Sequence, residues 1–248
     1  MSRAAALVFA IICYAIFFAT FLYLVVFVGD LSFASLTVDI SPRPAAPTVV
    51  AAIIDVALIA LFGLQHSIMA RQGFKRWWTR IVSPPVERSV YVLAASVVLI
   101  LLFLFWRPIG IVVWDVTAPW LRQIIWLLFW AGWGTVLLST FLINHFELFG
   151  LQQAWFHMLG REAEAPKFRQ PLLYKWVRHP LYLGFFLAFW AAPEMTVGHL
   201  LLAAGVSVYM LIAIRYEERD LVGHFGKDYE DYRRDVGMLT PRFRRRSA

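Results

Sequence analysis

The sequence predicts an all-α polytopic integral membrane protein, a helical bundle with five or six transmembrane helices. Three observations carry that prediction. The 248 residues have a mean hydropathy of +0.66, and only 16% are charged, where soluble domains carry about a quarter. Several apolar runs reach the ~20 residues that a helix needs to cross a bilayer. Lysine and arginine collect on alternate inter-helix segments, the bias that sets the orientation of multi-span proteins.

The first apolar run, Ala4 to Val28, follows a lone Arg3. It is too long for a signal-peptide core and lacks a small-x-small cleavage site, so it is expected to stay as a transmembrane helix. Cys13 is the one cysteine, which excludes an internal disulfide and a cysteine-based metal site. Further helices are expected at about 48–70, 89–106 and 121–145, the first spanning about 5–28. A polar stretch, Glu147 to Arg178, follows, and then an apolar stretch from Leu181 to Ile214. That last stretch is too long for one crossing and just enough for two short ones. Its interruption "APEMTVG", with Pro193 and Gly198, suits a tight turn. A helical hairpin with six crossings is the preferred reading; five crossings, with the first arm re-entrant or partial, is the alternative. Residues 1–146 then form an N-terminal unit of four crossings. Residues 147–248 form a second region, the hairpin with its flanking polar segments.

With the N-terminus inside, the inner segments hold 20 of the 23 basic residues, and the outer loops only Arg43, Arg107 and Arg122. The chain is therefore expected in a bacterial inner membrane with both termini cytoplasmic. The net charge of +7 reads as topology and contact with anionic lipid rather than nucleic-acid binding. Trp77 and Trp78 are expected as interfacial anchors, and the tail "PRFRRRSA" as a basic end on lipid headgroups.

Four polar clusters fall on the inner face: Gln65, His66 and Ser67; Asn144, His145 and Glu147; Arg178, His179 and Tyr182; and Glu217, Glu218, Tyr229 and Tyr232. Each alone reads as helix-end decoration, but ionisable groups at that depth are costly and usually face protein or a wet cavity. Four on one face point to a site. His66, His145 and His179 are not in a metal-binding spacing, so no metal is expected. There is no Gly-rich phosphate loop. A cofactor would have to sit in a pocket made of helix ends and the C-terminal tail.

The string Tyr174, Arg178, His179, Pro180, Tyr182, Gly184 is followed, after the hairpin, by Glu217, Glu218, Leu221, Phe225, Gly226, Tyr229 and Tyr232. This combination resembles the isoprenylcysteine carboxyl methyltransferase and phospholipid methyltransferase superfamily over about the last third of the chain. The pieces "LQHSIMAR", "FKRWWTR", "ERSVYV", "GWGTVLLSTFLINHFELFGLQQ" and "YKWVRHPLYLGFFLAFW" resemble one branch, the methanethiol S-methyltransferase family. The resemblance implies S-adenosyl-L-methionine as methyl donor and conversion of methanethiol, a small-molecule thiol, to dimethyl sulfide in the membrane. It places the cofactor-binding residues at Tyr174, His179, Pro180, Tyr182 and Glu217, with Glu218 as a neighbour and the 167–169 segment matching loosely.

The chemistry is compatible with these residue types. The donor's carboxylate suits Arg178 or His179. Its ammonium and ribose hydroxyls suit Glu217 or Glu218, and its sulfonium and adenine suit Tyr174 and Tyr182. Pro180 fits the first position of a helix whose N-terminus favours anions. Gly184 lets a ligand or a neighbouring helix approach. A thiol must lose its proton, and His145 and His66 are the candidate catalytic bases, with Asn144, Glu147 and Gln65 orienting them. Alternative functions are a methyltransferase for a lipid or isoprenylcysteine-type carboxyl, an NADPH-dependent membrane reductase of the sterol type, and a non-enzymatic membrane transporter or accessory protein.

Overall fold

The computed structural model describes residues 1–161 and 168–242. Residues 243–248, the "FRRRSA" of the basic tail, and Lys167 lie outside the described residues. Five helices are long and apolar enough to span a membrane: α1 (Arg3–Val28), α2 (Thr48–Ala70), α4 (Pro84–Phe105), α5 (Pro119–Ile143) and α9 (Val197–Phe225). Between them lie α3 (Gln72–Trp78), β1 (Val112–Asp115), α6 (His145–Leu148), α7 (Leu151–Leu159), a 3-10 turn (Leu172–Lys175), α8 (Pro180–Trp190) and β2 (Glu194–Thr196). The tail carries α10 (Lys227–Asp235). The protein is a multi-pass, all-α membrane bundle.

The helix limits follow from local chemistry. α4 starts five residues before the expected position because Pro84 and Pro85 occupy its first turn, where no intrahelical N–H is needed. α5 stops at Ile143 because Asn144 leaves the helical region and its side chain instead caps α6, accepting from the Glu147 N–H at 3.4 Å. Gly198 does not break the last apolar stretch. It lies in the first turn of α9, which Thr196 caps by accepting the His199 N–H at 3.0 Å.

The hairpin is unequal. α8 has 11 residues, about half the ~30 Å hydrocarbon thickness at 1.5 Å per residue. The chain continues from it through Ala191–Pro193 into β2, which pairs antiparallel with β1 in the register Val112↔Thr196 and Asp115↔Glu194. The partial-arm arrangement is thus the one adopted: five long helices and a short arm, rather than six full-length crossings. β1–β2 pairing accounts for this, because it gives the extended segment's backbone groups partners in place of further helix.

α8 is seated by backbone contact with α5. A Cβ on Gly132 would lie 2.7 Å from the Ala188 nitrogen, and one on Gly184 would lie 2.7 Å from the Gly132 carbonyl oxygen. Small residues that bring helices this close are how membrane helices associate, since lipid tails offer no hydrophobic drive. The Gly184 alternatives resolve to a neighbouring helix. Around this contact Phe129, Trp133, Val136, Ala188 and Phe189 merge with Phe27, Phe103, Trp106 and Leu202 into one buried core. Cys13 is also buried, against protein rather than lipid.

Gly184→Ala is therefore expected to destabilise the detergent-solubilised protein by about 1–3 kcal/mol, the cost of overfilling a close contact. Gly134→Ala, at a position with nothing within 4 Å of the new carbon, is expected to be neutral. Thermal unfolding of the two variants side by side checks this.

Candidate functional site

The "VRHP" segment enters α8 through a buried polar clamp. Val177 bridges to Gly237, and the N–H groups of Arg178 and His179 donate to the carbonyls of Gly237 and Met238 at 2.8 and 3.1 Å. The Arg178 guanidinium is buried. Its Nε and Nη2 meet Glu218 Oε1 at 2.8 and 2.7 Å, and Nη1 donates to the carbonyls of Arg233 and Val236 at 3.0 and 2.5 Å. His179 Nε2 lies 3.0 Å from the same Glu218 oxygen. Arg178, His179 and Glu218 therefore join the start of α8, the end of α9 and the tail. Pro180 is the first residue of α8, and Tyr232 donates to the Tyr174 carbonyl at 2.6 Å.

Glu217 takes the opposite direction from Glu218. It is solvent-exposed, and its Oε2 accepts the Tyr182 hydroxyl at 3.0 Å. Tyr174 is close enough to feel the Glu217 charge. The phenols of Tyr91 and Tyr209 stand within electrostatic range of Tyr182. Tyr91 Oη is 2.8 Å from His66 Nε2, and Tyr209 hydrogen-bonds Ser67. The His66 ring stacks on Phe62 at 5.3 Å and meets Tyr209 edge-on at 6.3 Å. Residues of α2, α4, α8 and α9 thus gather one carboxylate, three phenols and one imidazole into one polar cluster, with Tyr174 near Glu217. Burial and the Glu217 charge push the Tyr174 phenol well above its ordinary range, so it stays neutral. In the tail, burial pushes Tyr232 up to about 12 and raises Tyr229 as well.

The fit to S-adenosylmethionine can be tested on these groups. One Glu217 oxygen is engaged by Tyr182, leaving the other for a cation or hydroxyl. The flanking rings are neutral and aromatic, and suit a sulfonium or an adenine. Two buried atoms in this cluster, His66 Nδ1 and Gln65 Oε1, have no partner among the described residues, and buried polar atoms in that condition suit a polar ligand. The residues fit the group. Arg178 is not a free cation, because Glu218 and two carbonyls hold it.

His145 belongs to a different cluster. Its Nδ1 lies 2.8 Å from Thr140 Oγ1 and its Nε2 2.8 Å from Tyr14 Oη, while its ring stacks on Phe141 at 4.1 Å. Burial pushes the imidazole below its ordinary value, so it is neutral. Asn144 donates to Glu147 at 2.9 Å and to Gln152 at 2.5 Å. Asn144, His145 and Glu147 are together, with His145 buried between Tyr14 of α1 and Thr140 and Phe141 of α5 and Glu147 exposed, and His66 is with the phenols. Among the described residues no group of three or more His, Cys, Asp or Glu side chains is arranged to hold a metal ion.

Three participants escaped the sequence reading: Tyr14, Tyr91 and Tyr209. Tyr209 was detectable, since Tyr209, Ala213 and Glu217 are spaced i, i+4, i+8 on one helix face. Tyr91 sits three residues after Arg88 at the start of a helix that pattern alone marks as apolar. Trp77 is exposed, as an interfacial anchor should be, whereas Trp78 stacks on Phe74 at 5.7 Å with its Nε1 buried. In the 167–169 segment, Phe168 rests against the rings of Phe225, Tyr229 and Tyr232.

Comparison with known proteins places these residues in context. The family model described as NnrU protein matches residues 55–241. The methanethiol S-methyltransferase of Mycobacterium tuberculosis (strain ATCC 25618 / H37Rv) is 51% identical over 241 residues, covering 97% of this chain and 98% of that protein. Methanethiol S-methyltransferase 1 of Bradyrhizobium diazoefficiens is 51% identical over 236 residues, 95% of this chain and 82% of that protein. Nurim of Bos taurus is 30% identical over 175 residues, 67% of this chain and 66% of that protein. No solved structure matches.

Removing one partner of a buried ion pair costs about 3–5 kcal/mol. Arg178→Ala is therefore expected to release α10, seen as new trypsin cleavage between Lys227 and Arg234 in limited proteolysis. Glu217→Gln, outside the clamp, is expected to leave the digestion pattern unchanged.

Proposed function

Because the chain belongs to the NnrU protein family, alongside methanethiol S-methyltransferases of about half-identical sequence, we propose that it is a membrane methyltransferase that moves a methyl group from S-adenosyl-L-methionine to methanethiol, giving dimethyl sulfide. The observation that carries the reading is the Tyr182 hydroxyl donating to Glu217 at 3.0 Å, with the Tyr91–His66 pair within electrostatic range of Tyr182; we place the binding hollow among these groups. Residues 147–248 supply most of the donor side, and residues 1–146 supply the opposite wall through His66 and Tyr91. The basic-residue asymmetry supports a bacterial inner-membrane location with both termini and this hollow on the cytoplasmic side.

S-adenosylmethionine, when bound, supplies a methyl group on a cationic sulfur. The chain's residues do the rest by placement. Glu217 offers a carboxylate for an ammonium or ribose hydroxyl. Tyr174 and Tyr182 offer aromatic faces to a cation. The N-terminus of α8 offers backbone N–H groups to a carboxylate. Arg178, His179 and Glu218 hold these parts in register, which matters because methyl transfer is an in-line displacement governed by positioning. A small alkyl thiol is mostly protonated at neutral pH, by analogy with cysteine at ~8.5. Of the two histidine candidates, His66 faces the hollow, whereas both nitrogens of His145 are engaged by Thr140 and Tyr14.

Headspace gas chromatography tests this on membranes supplied with methanethiol and S-adenosylmethionine. Dimethyl sulfide is expected from the wild type, and Glu217→Ala is expected to lower it at least 10²-fold through loss of donor binding. Donor binding by calorimetry without any sulfide product would instead favour a lipid or isoprenylcysteine-type acceptor. Absence of both would favour the reductase or non-enzymatic alternatives.

A further inference from the structure

Removal of the thiol proton needs a group that touches the sulfur, and the hollow offers one that sequence pattern did not mark. Tyr91 is 7% exposed. Its hydroxyl is 2.8 Å from His66 Nε2 and within electrostatic range of Tyr182. The guanidinium of Arg88 stands 5.1 Å from its ring, fixed by a 2.8 Å bond to the Leu148 carbonyl. The His66 ring tilts against Tyr91 at 5.0 Å and is held between Phe62 and Tyr209. A Cβ on Gly63 would lie 3.0 Å from the Tyr209 ring, so the glycine lets that ring lie against α2 and close the aromatic wall. The result is an imidazole packed among three aromatic rings, with the Tyr91 hydroxyl against its Nε2.

We propose that Tyr91 is a catalytic residue: its hydroxyl receives the thiol's hydrogen bond and relays the proton to His66. This rests on the thiol methyltransferase reading and adds the acceptor's subsite to it. In the step, the S–H bond breaks and its proton goes to Tyr91 Oη, while the original Tyr91 proton crosses to His66 Nε2. The phenol ends neutral, the sulfur keeps the electron pair as thiolate, and His66 becomes imidazolium. No net charge is created. Imidazole is the side chain best matched to proton transfer near neutral pH; the Arg88 charge favours negative charge on the Tyr91 oxygen and opposes positive charge on His66, so the imidazolium is short-lived. After product forms, His66 returns the proton to water at the exposed end of the hollow. Tyr209, Phe62 and Gly63 would favour a thiol with a very small substituent.

The test is Tyr91→Phe, which keeps the ring and removes only the oxygen. Dimethyl sulfide formation at saturating substrate is expected to fall about 10²-fold at pH 7, the low end for loss of a general acid–base group. S-adenosylmethionine binding by calorimetry is expected to be unchanged. The residual rate is expected to climb steeply with pH, as thiolate forms in solution, while the wild-type profile is flatter. 3-Fluorotyrosine incorporated at position 91, a more acidic phenol of nearly the same shape, is expected to restore turnover and move the profile to lower pH. Full turnover by Tyr91→Phe would overturn the relay. So would an equal loss at every pH that fluorotyrosine does not rescue. A wild type that binds donor but makes no dimethyl sulfide would overturn the underlying thiol reading instead, and the relay with it.

Discussion

The buried guanidinium of Arg178 is the constraint on which the site depends. A charge removed from water at the edge of a membrane is stable only when its donors are met in place. Here Glu218 and the carbonyls of Arg233 and Val236 meet them. To do so, three separate pieces of chain must converge: the segment before α8, the last turns of α9, and the tail. Once they do, the neighbouring residues have no freedom left. Glu218 turns inward to the guanidinium, and Glu217, one residue and about 100° around the helix, turns out to Tyr182. Two adjacent glutamates thus divide, one held by Arg178 and His179 and the other exposed beside Tyr182.

The short arm follows the same logic. α8 is pinned at its start by this clamp, in its middle by the Gly132–Gly184 backbone contact, and at its end by the β1–β2 pair. It therefore cannot slide along α5, and Tyr182 is held at a fixed depth opposite Tyr91. A rigid element carrying the aromatic face is what in-line transfer demands, because a misplacement of about 1 Å is costly in rate.

Much of this was legible in the chain. Apolar length marked α1, α2, α4, α5 and α9. The "RHP" string and the paired glutamates marked the clamp and the donor side, although composition could not divide Glu217 from Glu218. That division depends on which way one helix face turns, and so on the tail that docks against it. The His145 and His66 candidates were equally visible because both sit at helix ends in polar strings. Only tertiary contact separates them, one between Thr140 and Tyr14, the other against Tyr91. Tyr91 and Tyr209 were hidden because a tyrosine in an apolar helix reads as interfacial or core until its neighbours across the bundle are known.

The central claim is that the donor lies between Tyr174, Tyr182 and Glu217 with the Arg178 clamp closed behind it. An electron cryomicroscopy structure of the protein with S-adenosylhomocysteine tests this most directly. The account predicts ligand density bordered by those three side chains, its sulfur toward Tyr91, with Arg178 still paired to Glu218. Density beside His145 and Tyr14 instead, or an Arg178 released from Glu218 to bind the ligand carboxylate, would contradict it.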